Sequence, residues 1–549
     1  MIRYAVIADP HVHDCSWVPS GSALPGAIRS FADTAASTRV FNESVPAFRA
    51  ALQQAAEAGV KLVLLVGDLT DDGQRPNVEA ALAIIAEYRD RFGLRVLATP
   101  GNHDLFALAG RPQAKNFLRP SGEAVLLDSA DCPEARTQGT SQALGLMAGL
   151  GYQPEDSDLY WESPFGTDPA WEQRQYTVRS PDGRTACTMI DASYLVEPVA
   201  GLWVLSLDAN VCVPRDGATD FDDPASFIDP TNGGWPAVVQ HRPHLLEWMT
   251  GIAARARALG KTLVAFSHYP PLDVLGGASQ REMALLGGKG LARRIPPAEV
   301  TAAFAATGVP LHFSGHLHVN DTARYDSGEG RFINIAVPSP VGYGPALKLV
   351  EHEEDRISIR SLPLTEVEGS DRAYAAYQAE ARQYNLPPHA ASLSVNHGQF
   401  MDRHLLELVH ERYLPREWPD DMVAFIRSGS MADLLTLLGL STRLEEDFAL
   451  ADLAADFYRL RKGGELGRRD VGAARLAFYG RLCADVAGGQ GDGLAGRFAE
   501  LIGLLDSYMA RLPNADCLVW LPGLEVTGLS AQAGARDEPS CATPLASAG

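Results

Sequence analysis

The chain has no Cys-x-x-Cys pair, no apolar run approaching the length of a membrane span, and many fewer positive than negative charges. Each absence removes a class of function. Its seven cysteines, at 15, 132, 187, 212, 483, 517 and 541, are scattered and odd in number, which argues against both a disulfide framework and a thiolate zinc site. Buried or inert thiols in a reducing cytoplasm are therefore expected. The first strand-like run starts at residue 2, without a basic n-region or an apolar h-region, so neither a signal peptide nor a membrane partner is expected. Against 68 Asp and Glu stand 47 Lys and Arg, a net charge of -21 that repels polyanions over most of the surface. Long nucleic acids are poor partners for such a chain. A small anionic substrate would need a local positive centre, which bound cations can provide.

What is present is material for a large core: 549 residues, 46% apolar and 21% charged. At about 100–200 residues per domain, two units are expected, one of them large. Ile2 to Ala8 reads as a buried strand. Val45, Phe48, Leu52 and Ala55 mark a helical face closed by Gly59, and the strand "VKLVLLVG" follows. Val78, Leu82, Ile85, Tyr88 and Phe92 mark a second helix, ended by Gly93 before the strand "LRVLATP". This β-α-β-α-β order predicts an α/β sheet whose functional residues gather at strand ends. From about 105 to 170 the pattern lapses into Gly, Pro and charged residues, which predicts an insertion rather than core. Strand and helix patterns resume with "TACTMID", "LWVLSLDAN", "RPHLLEWMTGIAARARALG", "KTLVAFSHYPP", "PAEVTAAFAATG" and "VPLHFSGHLH". "RFINIAV" and "RISIRSL" finish the sheet, and the first domain is placed at 1–365.

Beyond that point Leu450, Leu453, Phe457 and Leu460, and then Leu494, Phe498, Leu501, Leu505 and Tyr508, keep helical spacing. A helical domain is expected over 366–528, and a disordered tail rich in Ala, Ser, Gly and Pro over 529–549. The stripes say only that this region folds. It is open to reading as a cover for the pocket or as a homo-oligomer contact.

Five short polar motifs punctuate these elements: Asp9-Pro-His11, Gly67-Asp68-Leu-Thr-Asp71, Gly101-Asn102-His103-Asp104, Ser267-His268, and Gly315-His316-Leu-His318. Each sits where a predicted strand becomes a loop. Pro10 disfavours a helical Asp9, so an extended Asp9 is expected, with its side chain and that of His11 on one side of the backbone. His316 and His318 repeat that spacing. In three motifs a glycine precedes the first polar residue, permitting close approach of backbone to whatever the side chains hold. Any one match arises by chance; five in this order at strand ends do not.

The chemistry these residues suit is a two-metal site. Asp68 has two oxygens with which to bridge two cations, with Asp9, His11 and His318 on one side and Asn102, His268 and His316 on the other. Oxygen and nitrogen ligands without sulfur suit Mn, Fe, Zn or Co. Two divalent ions carry +4, while two carboxylates and a bridging hydroxide carry -3, which leaves a local positive hole for a phosphate ester.

The same motifs resemble those of the calcineurin-like metallophosphoesterases, over roughly residues 1 to 362. The resemblance implies a four-layer α/β/β/α sandwich with a dinuclear metal centre and a bridging hydroxide as nucleophile. "GDLTD" with "GNHD" is similar to the branch of cyclic-nucleotide and glycerophosphodiester hydrolases. The Ser/Thr phosphatases usually carry Asp-Arg-Gly where this chain has Asp71-Asp72-Gly73. A phosphodiesterase for small phosphodiesters is therefore expected, ahead of a phosphomonoesterase on the same site or a non-catalytic scaffold. His103, beside a ligand, is placed to stabilise the phosphoryl group or protonate the leaving alkoxide. By resemblance Asp71 orients His103; by its position alone it is equally a turn or helix cap. His13, Asp104, Asp191, Asp208, Asn210, His241 and His244 are left outside the ligand set. The basic clusters Lys289, Arg293, Arg294 and Arg459, Arg461, Lys462, Arg468, Arg469 are expected on solvated faces.

Overall fold

Two seven-stranded sheets share one apolar core, and each is covered on its outer face by helices. The computed structural model describes residues 2–486 and 492–529. In the first sheet, Ile2–Ile7 pairs in parallel with Leu62–Val66, which pairs in parallel with Arg95–Thr99. On its other side Ile2–Ile7 runs antiparallel to Ala346–His352, followed by Arg356–Pro363, Asp516–Trp520 and Glu525–Gly528. In the second sheet Leu202–Ser206, Thr262–Phe266, Leu311–Ser314 and Gly330–Ala336 are successive parallel neighbours. Antiparallel strands at Asp321–Ser327, Tyr194–Val199 and Tyr160–Glu162 complete that sheet.

Side-chain alternation in the strands explains the layering. Leu202 and Val204 enter the core between the sheets, whereas Trp203 and Leu205 pack under the helices Pro243–Leu259 and Ala298–Ala306. The helices Ser44–Glu57 and Arg75–Phe92 cover the first sheet. Gly93, left-handed at φ 68°, stops the second of them by donating its N–H to Arg89 O. The result is the four-layer α/β/β/α sandwich. Among the described residues no helix is long and apolar enough to cross a membrane.

Two expectations are corrected. The stretch from 105 to 170 is not excluded from the core: the helix Thr140–Leu146 buries Ala143 and Leu144 against the first sheet, and Tyr160–Glu162 edges the second. Apolar residues there are spaced by turns, which hides them from a periodicity reading. The C-terminal region is helical only as far as Met509. Residues 516–520 and 525–528 then return to the first sheet, where Cys517 and Val519 join its core. These strands are too short to stand out in a helical context. The expected disordered tail lies, beyond residue 529, outside the described residues.

The helices between 397 and 509 form their own core around Leu405, Phe457, Leu460, Phe498 and Leu505, which also takes in Leu275, Leu285, Leu317 and Val319. The bundle is thereby bolted onto the loops that follow His268 and His316. A buried ion pair reinforces the joint, with Arg461 Nε donating to Glu282 Oε2 at 2.8 Å.

Candidate metal centre

Every motif follows the C-terminal end of a parallel strand, three in the first sheet and two in the second. The strands are packed rigidly, and the loops leaving them converge on one spot. The backbone is forced there into an uncommon conformation. Asp9, His11, Asp68, His316 and His318 have φ of 53°, 44°, 48°, 68° and 50°, five of the nine left-handed non-glycine residues described. Asp9 is thus not extended as expected. Proline disfavours the right-handed helical region for its predecessor but leaves the left-handed one open, and the loop is held there by backbone bonds from Asp9 N to Gly67 O and from His11 N to Asp68 O. The two histidines of the last motif copy the turn of the first.

These turns bring the candidate ligands into two buried groups, Asp9 with His11 and His318, and Asp68 with His268 and His316. Asp68 Oδ1 accepts the His103 N–H at 2.7 Å, which leaves Oδ2 facing both groups. It lies 3.1 Å from His268 Nε2 and 3.7 Å from His11 Nε2. His11 Nε2 and His318 Nε2 are 3.1 Å apart, with Asp9 Oδ1 3.4 Å from the latter. Asn102 Oδ1 completes the second group, 3.1 Å from His268 Nε2.

The donor set fits cations. His268 Nδ1 lies 3.0 Å from Val66 O, so Nδ1 carries the proton and Nε2 presents a lone pair. That lone pair faces Asp68 Oδ2, Asn102 Oδ1 and His316 Nδ1, all at 3.1 Å. Three acceptors around a fourth repel unless a positive charge sits among them. Without a metal, a proton is drawn in instead: burial lowers the His268 pKa, but the Asp68 charge overrides it and raises the pKa to about 9. His316 Nε2 is engaged by Thr231 O at 3.0 Å, which turns Nδ1 inward. Burial pushes His11, His316 and His318 below the usual imidazole range, so these rings are neutral and free to ligate. Two metal ions fit the two groups.

Two glycines are dictated by the carboxylates. A Cβ on Gly101 would fall against Asp68 Oδ1, and one on Gly315 would meet Asp9 Oδ2 and lie 3.0 Å from Ala8 Cβ. Gly315→Ala is expected to displace the Asp9 carboxylate and weaken metal binding by about 10–100-fold, the range found when the support of a ligand is lost. Competition with a fluorescent chelator measures it.

His103 sits beside the two groups, its side chain 22% exposed. Its partner corrects the reading of Asp71. His103 Nδ1 lies 2.5 Å from Asp72 Oδ1, not on Asp71. Asp71 is fully buried and clamped by Arg29 Nη1 at 3.1 Å, Arg39 Nη2 at 2.6 Å and Lys115 Nζ at 2.7 Å. Burial alone would raise its pKa; Lys115, Arg39 and Arg29 together hold it well below the usual carboxylate range. The left-handed turn at Asp72, φ 60°, aims this second carboxylate at the ring. The doubled Asp71-Asp72 was the only sequence signal for it. Arg39 and Lys115 carried none, since one lies in a loop and the other in a hairpin far along the chain.

The residues left outside the ligand set have local roles. His13 is buried, with Nε2 2.6 Å from Ala27 O, and stacks on Phe117. Asp104 accepts from Thr70 N and Gly101 N. Asp191 pairs with Arg242 at 2.8 Å and with His244 at 3.0 Å, Asp208 pairs with Arg242, and Asn210 backs the 101–104 loop.

No curated protein matches the chain. Among solved structures it is similar to a dimetal phosphatase from Danio rerio, with 14% sequence identity and a TM-score of 0.38, over 66% of this chain and 95% of that one. Residues 2–175, which contribute Asp9, His11, Asp68 and Asn102 to the two groups, match the family model of the calcineurin-like phosphoesterases.

Proposed function

We propose that the chain hydrolyses small phosphodiesters at a dinuclear metal centre. The observation that carries this reading is the position of Asp68 Oδ2, within 3.1 Å of His268 Nε2 and 3.7 Å of His11 Nε2, where one carboxylate oxygen can serve both groups. Asp9, His11 and His318 would hold one ion, and Asn102, His268 and His316 the other, with Asp68 shared. When bound, two such ions activate water and neutralise charge on a phosphoryl group in an in-line displacement. The protein supplies the rest. Val66 O and Thr231 O fix the tautomers of His268 and His316, so each ring presents a lone pair inward. His103, steadied by Asp72, donates the proton that the departing alkoxide needs as the P–O bond breaks.

Preference for a diester is supported by Asp72 itself. It stands in the place of the arginine that Ser/Thr phosphatases carry after the second motif, and its own charge is paired with Lys115 Nζ at 2.6 Å, so this position offers no guanidinium to a dianionic monoester. Steady-state kinetics on bis(p-nitrophenyl) phosphate and p-nitrophenyl phosphate, with the metal-reconstituted chain, test the reading. A higher kcat/KM for the diester is expected; a large preference for the monoester would overturn it.

A further inference from the structure

Next to His316 and His318 lies a cavity of about 270 Å³ whose wall is strongly cationic. Lys289, Arg293 and Arg294 come from the loops after His268, and Arg412, Arg416 and Lys462 from the C-terminal helices. None of the six makes an ion pair among the described residues, and Glu417 is the only acidic side chain in the wall. This is unusual in a chain of net charge -21, where carboxylates are plentiful. Uncompensated like charges gathered in one wall repel one another, and the repulsion grows with burial.

Lys462 is the decisive member. It is 2% exposed and lines this cavity, and its ammonium makes no ion pair with a carboxylate among the described residues. Its neighbour Arg461 is satisfied by Glu282, so the two adjacent cations are treated differently. Burial first, and after it the charges of Arg461 and Arg412, push the Lys462 pKa down to about 7. A nearly buried ammonium at a cavity wall with no carboxylate paired to it is costly, and an anion in the cavity offsets that cost. The expectation that these basic clusters occupy solvated faces is corrected for Arg459, Arg461 and Lys462, which are buried, and for Arg294, which is partly buried; Lys289, Arg293, Arg468 and Arg469 are exposed as expected.

Resting on the proposed phosphoesterase activity, we infer that this cavity seats a second phosphate group of the substrate while the reacting phosphodiester lies at the two ligand groups. His316 and His318 belong to both walls, so the two positions are adjoining. Arginine forks with a lysine suit the oxygens of a phosphate, and the volume lies at the small end of ligand sites, enough for one end of a substrate. The substrate class is then a small phosphodiester that carries a further phosphate. The helical bundle, which contributes half of these cations, becomes a determinant of specificity.

The test has a binding arm and a kinetic arm on the full-length chain. In calorimetry with inorganic pyrophosphate, after the metals are removed by chelation, the wild type is expected to bind. Lys462→Met and the double variant Arg293→Glu/Arg416→Glu, the latter at exposed positions that leave folding alone, are expected to bind at least tenfold more weakly. Equal binding by folded variants would overturn the inference. In the kinetic arm, the metal-loaded wild type should favour thymidine 3'-phosphate 5'-(p-nitrophenyl phosphate) over thymidine 5'-(p-nitrophenyl phosphate) in kcat/KM, and the variants should lose most of that ratio. A wild type indifferent to the 3'-phosphate would overturn the substrate assignment. A metal-loaded wild type that binds pyrophosphate through Lys462 but cleaves no phosphoester would sustain the anion pocket and defeat the catalytic reading on which the substrate assignment rests.

Discussion

Asp68→Asn should leave a folded protein that has lost at least one of its metals and turns over phosphoesters at least about 10³-fold more slowly, the loss expected when several kcal/mol of transition-state charge stabilisation disappear. The reason lies in one atom. Asp68 Oδ2 is the oxygen that faces both groups, and an amide there carries neither the charge nor the second good acceptor needed to serve two cations. Asparagine is the informative replacement because position 68 has φ 48°, a conformation that Asn tolerates and most side chains do not. It keeps the volume, and Oδ1 can still accept the His103 N–H, so the neighbouring loop is not disturbed. Asp68→Ala would add a backbone penalty of about 1–3 kcal/mol and blur the reading. Metal content by plasma mass spectrometry after dialysis, the far-ultraviolet spectrum and kcat on the preferred ester are the three measurements. Native turnover with fewer than two metals would remove the dinuclear mechanism.

The motifs were legible because the chemistry of the site is written locally. Gly101 and Gly315 precede ligand residues since no Cβ fits beside the carboxylates of Asp68 and Asp9, and a glycine in front of a polar residue at a strand end is visible in one sequence. The parallel strands were legible as uninterrupted apolar runs, as in Leu62–Val66. The strand Ala346–His352 was not, although it pairs with the first strand of the chain. Lys348 breaks its pattern, and the lysine is buried there because Asn320 Oδ1, Ser361 Oγ and Asn514 O accept from its ammonium at 2.6, 2.8 and 2.6 Å. Partners so distant in sequence leave no local trace. The same is true of the cationic cavity, whose wall joins residues 289–294 to 412–416 and 462. Spacing reads what one segment does; it is silent on what two segments do together.

In the proposed mechanism His103 has the catalytic role, and Asp72 and Asp71 have supporting ones. His103→Ala is expected to lower kcat by about 10²–10⁴ on an alkyl phosphodiester, the usual worth of a positioned general acid. On a p-nitrophenyl ester the loss should be much smaller, because p-nitrophenolate leaves without a proton. Equal losses on both esters would assign His103 to holding the phosphoryl group. Asp72→Asn keeps the 2.5 Å contact to the ring but removes its charge, so it should fall between wild type and His103→Ala and show the same dependence on the leaving group. Asp71→Asn should behave differently. It strips the counter-charge from Arg29, Arg39 and Lys115 in a buried cluster, which costs about 3–5 kcal/mol of stability, read as a shift in the urea midpoint. The pH dependence follows from the sign of its shift. The folded carboxyl is held below its unfolded value of about 3.9, so the Asp71 contribution is complete above that pH and is lost as the pH falls below it. Wild type and Asp71→Asn should therefore differ most in stability near neutrality and converge in acid, whereas wild type and Asp72→Asn should differ chiefly in turnover of the alkyl ester.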